Sequence, residues 1–126
     1  MNTNDIRWKQ RFQNFEEGIK AYPHLSVLEK EGLLQRFEYT FKLGWKTLKD
    51  YLESQEIRLQ YPREVIKQAF HYGLIENGEI WMEMLEKRNL TVHAYDEKIF
   101  NKALNRLYKD FYQALKQLYD LLKKQS

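Results

Sequence analysis

The sequence predicts an all-α fold: an antiparallel up-and-down helical bundle of the four-helix-bundle type with an additional short helix. Three observations point there. Apolar residues recur at three- and four-residue steps along most of the 126 positions, which is the period of a helix face. Only five Gly and two Pro punctuate the chain, too few for the many turns of a sandwich or barrel. No segment alternates apolar and polar residues with the period of two that a half-buried strand requires. The length suits a single core, so residues 1–126 are expected to form one domain.

The helices are placed in order by their stripes and end signals. Trp8, Phe12, Phe15 and Ile19 form the inward stripe of a first helix, which Asn4 or Asp5 caps and Pro23 ends. Ser26, followed three residues later by Glu29, reads as a capping box. It opens a long second helix to about Ser54, with the stripe Leu34, Phe37, Phe41, Trp45, Leu48 and Leu52. Leu33, Thr40, Leu43 and Tyr51 widen that stripe, and Gly44 offers room for close helix approach. Residues 55–61 form the longest connection. Pro62 suits the first turn of a third helix, whose apolar face is Val65, Ile66, Ala69 and Phe70 and whose stop is Gly73. Asn77 caps a fourth helix carrying Ile80, Trp81, Met84 and Leu85, which frays near Asn89.

Asp96 caps the last helix, which runs towards Lys124 on the stripe Phe100, Leu104, Leu107, Phe111, Leu115, Leu118 and Leu122. Tyr108, Tyr112 and Tyr119 lie on a strip beside it, suited to interface packing or to stacking on bases. The second and last helices have wider apolar faces than one seam needs. That width is expected of a homodimer, or of two helices central to a monomer.

Composition narrows the function classes. With 43% hydrophobic and 31% charged residues the chain is neither disordered nor a membrane protein. It contains no Cys, which excludes disulfides, Cys-ligated zinc and a thiol nucleophile. No run of about 18 apolar residues is present, so no membrane span is expected. The polar start MNTNDIRWKQ does not read as a secretory signal, and a cytoplasmic address is expected. The formal charge is +3, and residues 96–126, with seven Lys/Arg against four Asp/Glu, match that excess by themselves. So small a surplus does not announce a nucleic-acid binder. Lys98, Lys102, Arg106 and Lys109 form a basic helix face, solvated or turned to an acidic partner or nucleic acid.

Few residues are left for chemistry. There is no glycine-rich phosphate loop and no His-Glu-x-x-His pattern. His24, His71 and His93 are far apart, so no metal site is expected. Ser26 is explained as a cap and Ser54 as a helix end. Trp8, Trp45 and Trp81 stand at core spacing. One constellation remains, residues 88–95, which read RNLTVHAY between two helices. Arg88 can hold a phosphate through paired hydrogen bonds. His93 titrates near neutrality and can take a proton from a ribose hydroxyl or give one to a leaving oxygen. Tyr95 can position a base, donate a hydrogen bond or attack an activated nucleotide. The bland alternatives are a cation at its own helix end for Arg88 and a satisfied turn residue for His93. Glu38, one step off the second helix's stripe, is a candidate cleft support or a solvated carboxylate.

The blocks RFEYTFKLGWKTLKDYLE (36–53), PREVIKQAF (62–70) and GLIENGEIWMEMLEKRNLTVHAYDE (73–97) resemble the nucleotidyltransferase substrate-binding protein family. That family is a branch of the HEPN superfamily of helical bundles, and the resemblance covers nearly the whole chain. It implies a bundle that forms homodimers and binds a minimal nucleotidyltransferase encoded nearby. It also implies a signature of Arg, a polar residue, three residues and His, which Arg88, Asn89 and His93 match. In ribonuclease members that signature makes a metal-independent catalytic site at a dimer cleft. In toxin–antitoxin members a Tyr follows two residues after the His, as Tyr95 does here. There the partner, using ATP and Mg, attaches AMP to that Tyr and silences the ribonuclease. No cofactor and no transferase active site of its own are implied for the chain. Lys42 stands where the family often carries an acidic residue, which implies a more basic cleft. The expected function is therefore the helical partner and substrate-binding subunit of a minimal nucleotidyltransferase, AMPylated by it. The alternative is a metal-independent RNase toxin acting on RNA through Arg88 and His93.

Overall fold

The capping box at Ser26 closes in both directions: Ser26 Oγ accepts from the Glu29 N–H at 3.2 Å, and Glu29 Oε1 accepts from the Ser26 N–H at 2.9 Å. The Ser26 N–H first, and the Ser26 side chain second, hold the Glu29 carboxyl below its ordinary value. In the computed structural model, which describes residues 3–88 and 96–124, this cap opens the longest helix. The order is α1 (Thr3–Ala21), α2 (Val27–Ser54), α3 (Pro62–His71), α4 (Gly78–Glu86), α5 (Glu97–Arg106), a π-helical turn (Leu107–Phe111) and α6 (Tyr112–Lys124). Among the described residues there is no strand.

The end signals of the later helices act as expected, but α1 already begins at Thr3, so Asn4 and Asp5 lie inside its first turn and do not cap it. Pro62 occupies the first turn of α3, and Gly73 follows that helix with φ +77°, a conformation open to glycine. Asn77 accepts from the Ile80 N–H at 3.1 Å, and Asp96 accepts from the N–H groups of Lys98 and Ile99.

Contacts between α1 and α2 run in opposite senses along the two helices, which makes the pair antiparallel. Arg36 donates to the Asn14 carbonyl at 2.7 Å and Thr40 to the Arg11 carbonyl at 3.2 Å, while Gly44 lies against Trp8. A Cβ at residue 44 would stand 2.8 Å from Trp8 Nε1 and 3.5 Å from Trp81 Cη2. The expected role of Gly44 in close approach is therefore seen. α6 packs antiparallel on the other side of α1: Tyr112 reaches Glu16, and Tyr119 stacks on Phe12 at 4.6 Å. The stripes of α1, α2, the π-helical turn and α6 bury Trp8, Phe12, Phe15, Phe37, Phe41, Phe111 and Leu115 in one core. Burial of such aromatic stripes is the main stabilising term.

Four further sequence readings are corrected. The last helix is interrupted by the π-helical turn, whose Leu107 and Phe111 remain buried, so the stripe itself gave no sign of it. Phe70, assigned to the apolar face of α3, is 52% exposed. Tyr112 and Tyr119 are packed against α1 of the same chain rather than lining an outer strip. Trp45 is half-buried at the edge of its stripe, whereas Trp8 and Trp81 are fully buried. Among the described residues no helix is long and apolar enough to cross a membrane.

Candidate functional site

Gln35, Glu38, Lys42 and Trp45 recur at three- and four-residue steps and so share one side of α2, next to its buried stripe. With Tyr39, Phe41 and Arg88 they line a groove of about 380 Å³. Arg88 follows the C-cap of α4, Lys87, whose N–H closes on the Glu83 carbonyl at 3.0 Å. α4 therefore ends just before Asn89, near the expected place, and delivers Arg88 to the α2 groove.

The structure brings two of the five candidate residues together, Arg88 and Glu38. Asn89, His93 and Tyr95 lie outside the described residues. Lys42, which departs from the resemblance, lines the same groove. Two cations and one carboxylate give the lining a positive excess. Arg11 adds a third cation nearby, its guanidinium carbon 5.2 Å from the centre of the half-exposed Tyr39 ring. Tyr39 and Trp45 supply aromatic faces over a floor made by the buried Phe41. Cations can hold phosphate oxygens, and aromatic faces stack on bases without regard to sequence. The groove thus offers both halves of nucleotide recognition. Sequence reasoning passed over Gln35 and Tyr39, and it assigned Trp45 to packing. The signal available was the recurrence of 35, 38, 42 and 45 beside the stripe.

A second charged cluster holds the end of α4 that carries Arg88. Arg106 donates from Nε to Glu83 Oε2 at 2.7 Å and from a terminal nitrogen to Glu83 Oε1, while its other terminal nitrogen reaches Asp110. Its guanidinium carbon also lies 5.5 Å from the centre of the Phe111 ring. The Arg106 hydrogen bonds keep the Glu83 carboxyl below its ordinary value, and those same bonds raise the Arg106 value. Arg106 is thus turned inward to α4, and of the expected basic face only Lys98, Lys102 and Lys109 remain exposed. Among the described residues no group of three or more His, Asp or Glu is placed to hold a metal ion.

Comparisons with known proteins agree with this architecture. A crystal structure from Thermus thermophilus superposes with a TM-score of 0.82 at 29% identity, covering 91% of this chain and 98% of that one. The Haemophilus influenzae protein HI0074, described as having the fold of a substrate binding domain of a nucleotidyltransferase, superposes with a TM-score of 0.81. That match covers 94% of this chain and 98% of the other, at 20% identity, and speaks to the fold alone. A probable ribonuclease HepT from Haemophilus influenzae is 28% identical over 72 residues. The match spans about half of each protein, 53% of this chain and 49% of the relative. Residues 6–124 match the family described as nucleotidyltransferase substrate binding protein like, and the chain belongs to that family.

Proposed function

We propose that this protein is the helical, substrate-binding partner of a minimal nucleotidyltransferase in a two-component, toxin–antitoxin-like system, and that the α2 groove receives the nucleotide-bearing part of the substrate. The observation that carries this reading is the meeting of Arg88 and Lys42 with Tyr39 and Trp45 in one groove. Phosphate oxygens lie against the cations, and the base lies on the aromatic faces. Tyr95, two residues after His93 as the family resemblance implies for the acceptor, is the acceptor in this proposal. Its phenol oxygen attacks the α-phosphorus of ATP held with Mg by the partner, losing its proton as pyrophosphate leaves. Homodimer formation belongs to the same proposal.

The test is co-expression with the adjacent transferase followed by intact-mass measurement. The expected result is a gain of one adenylyl group, or a multiple of it, that Tyr95→Phe abolishes. Modification that survives Tyr95→Phe rejects the acceptor assignment. AMP binding unchanged by Arg88→Ala and Lys42→Ala rejects the groove.

A second reading is a metal-independent RNase, favoured by the similarity to the probable ribonuclease HepT and by the place of Arg88 in the groove. Here Arg88 stabilises charge on the phosphorus oxygens, and His93 acts as a base, an acid or a phosphate donor. Expression without the partner should then arrest growth, and His93→Ala should relieve the arrest. Normal growth with the wild-type protein counts against this reading.

A further inference from the structure

A larger groove lies on the other side of α4, with a volume of about 850 Å³, and shares no lining residue with the Arg88 groove. Its apolar surfaces come from α3 and α4: the buried Ile66, the half-buried Met82 and the 52% exposed Phe70. Gly78 sets the position of Phe70. A Cβ at residue 78 would stand 3.1 Å from Phe70 Cγ, so the missing side chain lets the ring lie over the start of α4.

The charge of this groove opposes that of the chain. Its lining carries Glu76, Glu79, Glu83 and Glu86 against Lys67 and Lys87, in a protein of net charge +3. Glu83 is occupied, with both carboxylate oxygens on Arg106 and Lys87 at 3.3 Å. That leaves exposed Glu76, Glu79 and Glu86 around an apolar strip, with Lys67 as the remaining cation of the lining. Phosphate is repelled from such a rim. A cationic side chain is attracted to it, and it can also lie over an exposed aromatic face. α3 offers further exposed rings at its ends, Tyr61 and Tyr72. Aromatic rings and Met are enriched where proteins meet, and Met adapts its shape to an incoming apolar group.

We propose that the α3–α4 groove docks a basic segment of a protein partner, with Lys or Arg on Glu76, Glu79 and Glu86 and an apolar side chain on Phe70 and Met82. Charge complementarity selects this occupant, and the reading does not depend on what the Arg88 groove binds. The two sides of α4 then have separate duties, anion recognition on one and protein docking on the other.

The test uses a fluorescein-labelled amphipathic peptide of Leu and Arg, with its Leu and Glu counterpart as control, and amide shift mapping on the full chain. The Arg peptide is expected to move α3–α4 amides, and the Glu peptide to leave them unmoved. The double substitution Glu79→Lys with Glu86→Lys should weaken binding about tenfold or more. Phe70→Ala should weaken it several-fold, including in high salt where charge contacts are screened. Lys42→Ala should leave it unchanged. All the altered positions are exposed, and circular dichroism checks that each variant is folded. Equal affinity in the folded Glu79→Lys/Glu86→Lys and Phe70→Ala variants overturns the proposal, as does peptide mapping to another surface. An RNA oligonucleotide that moves the groove amides in place of the peptide also overturns it. So does self-association of the free protein that Glu79→Lys abolishes, because the occupant is then a second copy.

Discussion

Arg106 and Glu83 are joined by two hydrogen bonds that tie the last turn of α4 to the end of α5, although they stand 23 positions apart in the chain. Both side chains are mostly shielded, at 31% and 25% relative exposure. A two-point guanidinium–carboxylate contact is geometry that lysine cannot reproduce. Arg106→Lys should therefore lose most of what Arg106→Ala loses, about 1–2 kcal/mol in urea unfolding. Full stability in Arg106→Lys would show that charge alone suffices.

The same pair sets a pH dependence. The Glu83 carboxyl is held below its ordinary value of 4.5, first by the Arg106 hydrogen bond. A carboxyl lowered in the folded state adds stability above its unfolded value and loses it as pH falls through the folded one. The stability gap between wild type and Glu83→Gln should thus be constant near neutrality and shrink below pH 4.5. A gap that stays constant down to acid unfolding would remove Glu83 as its source.

Tyr112 donates to Glu16 Oε2 at 2.5 Å. Burial first, and the Glu16 hydrogen bond second, raise its phenol well above the ordinary value of 10.0. A raised folded value means that the contribution is complete below the unfolded value and declines as pH rises through the folded one. Tyr112→Phe should cost about 1 kcal/mol near neutrality. In alkaline titration it should remove a tyrosine that ionises above the ordinary value of 10.0. Loss of a tyrosine that ionises at or below that value instead would contradict the Glu16 contact.

Two glycines in α2 should respond oppositely to alanine. A Cβ at Gly32 meets nothing within 4 Å, so Gly32→Ala gains only helix propensity, an expected stabilisation of about 0.5–1 kcal/mol. At Gly44 the new methyl would press on the fully buried Trp8, 2.8 Å from its Nε1, while meeting Trp81 only at ordinary contact distance. Overpacking of that kind costs about 1–3 kcal/mol, more than the propensity gained. Thermal melts of the two variants should move in opposite directions, and equal shifts would contradict the close approach at Gly44.

Features written in neighbouring residues were legible in the sequence. Ser26 and Glu29, Asn77, Asp96, Pro62 and Gly73 mark the helix ends they were expected to mark. Features set by distant residues were not. The partner of Arg106 is on α4, so the run Lys98, Lys102, Arg106 and Lys109 read as one basic face. Tyr112 and Tyr119 read as an outer strip because the α1 surface that covers them is some hundred positions away. The π-helical turn keeps Leu107 and Phe111 buried, so hydrophobic periodicity runs through it unaltered. At the site, Arg88 and Glu38 were chosen for separate reasons, and only the packing of α4 beside α2 joins them. That packing also adds Lys42, Tyr39 and Trp45.

The composition of the groove leads to a last prediction, which separates phosphate from base recognition. Lys42 and Arg88 are its cations, and Tyr39 and Trp45 are its aromatic faces. If phosphate lies on the cations, Lys42→Glu should weaken AMP binding by about tenfold or more, since a like charge replaces an opposite one. The same change should leave adenosine almost unaffected. Trp45→Ala should weaken both ligands alike, by about 1–3 kcal/mol if a base stacks there. Raising the salt concentration should reduce AMP binding in the wild type and have little effect in Lys42→Glu. The measurement is calorimetric titration of AMP and adenosine into the three proteins at two salt concentrations. Equal losses for AMP and adenosine in Lys42→Glu would mean that Lys42 shapes the groove without meeting phosphate.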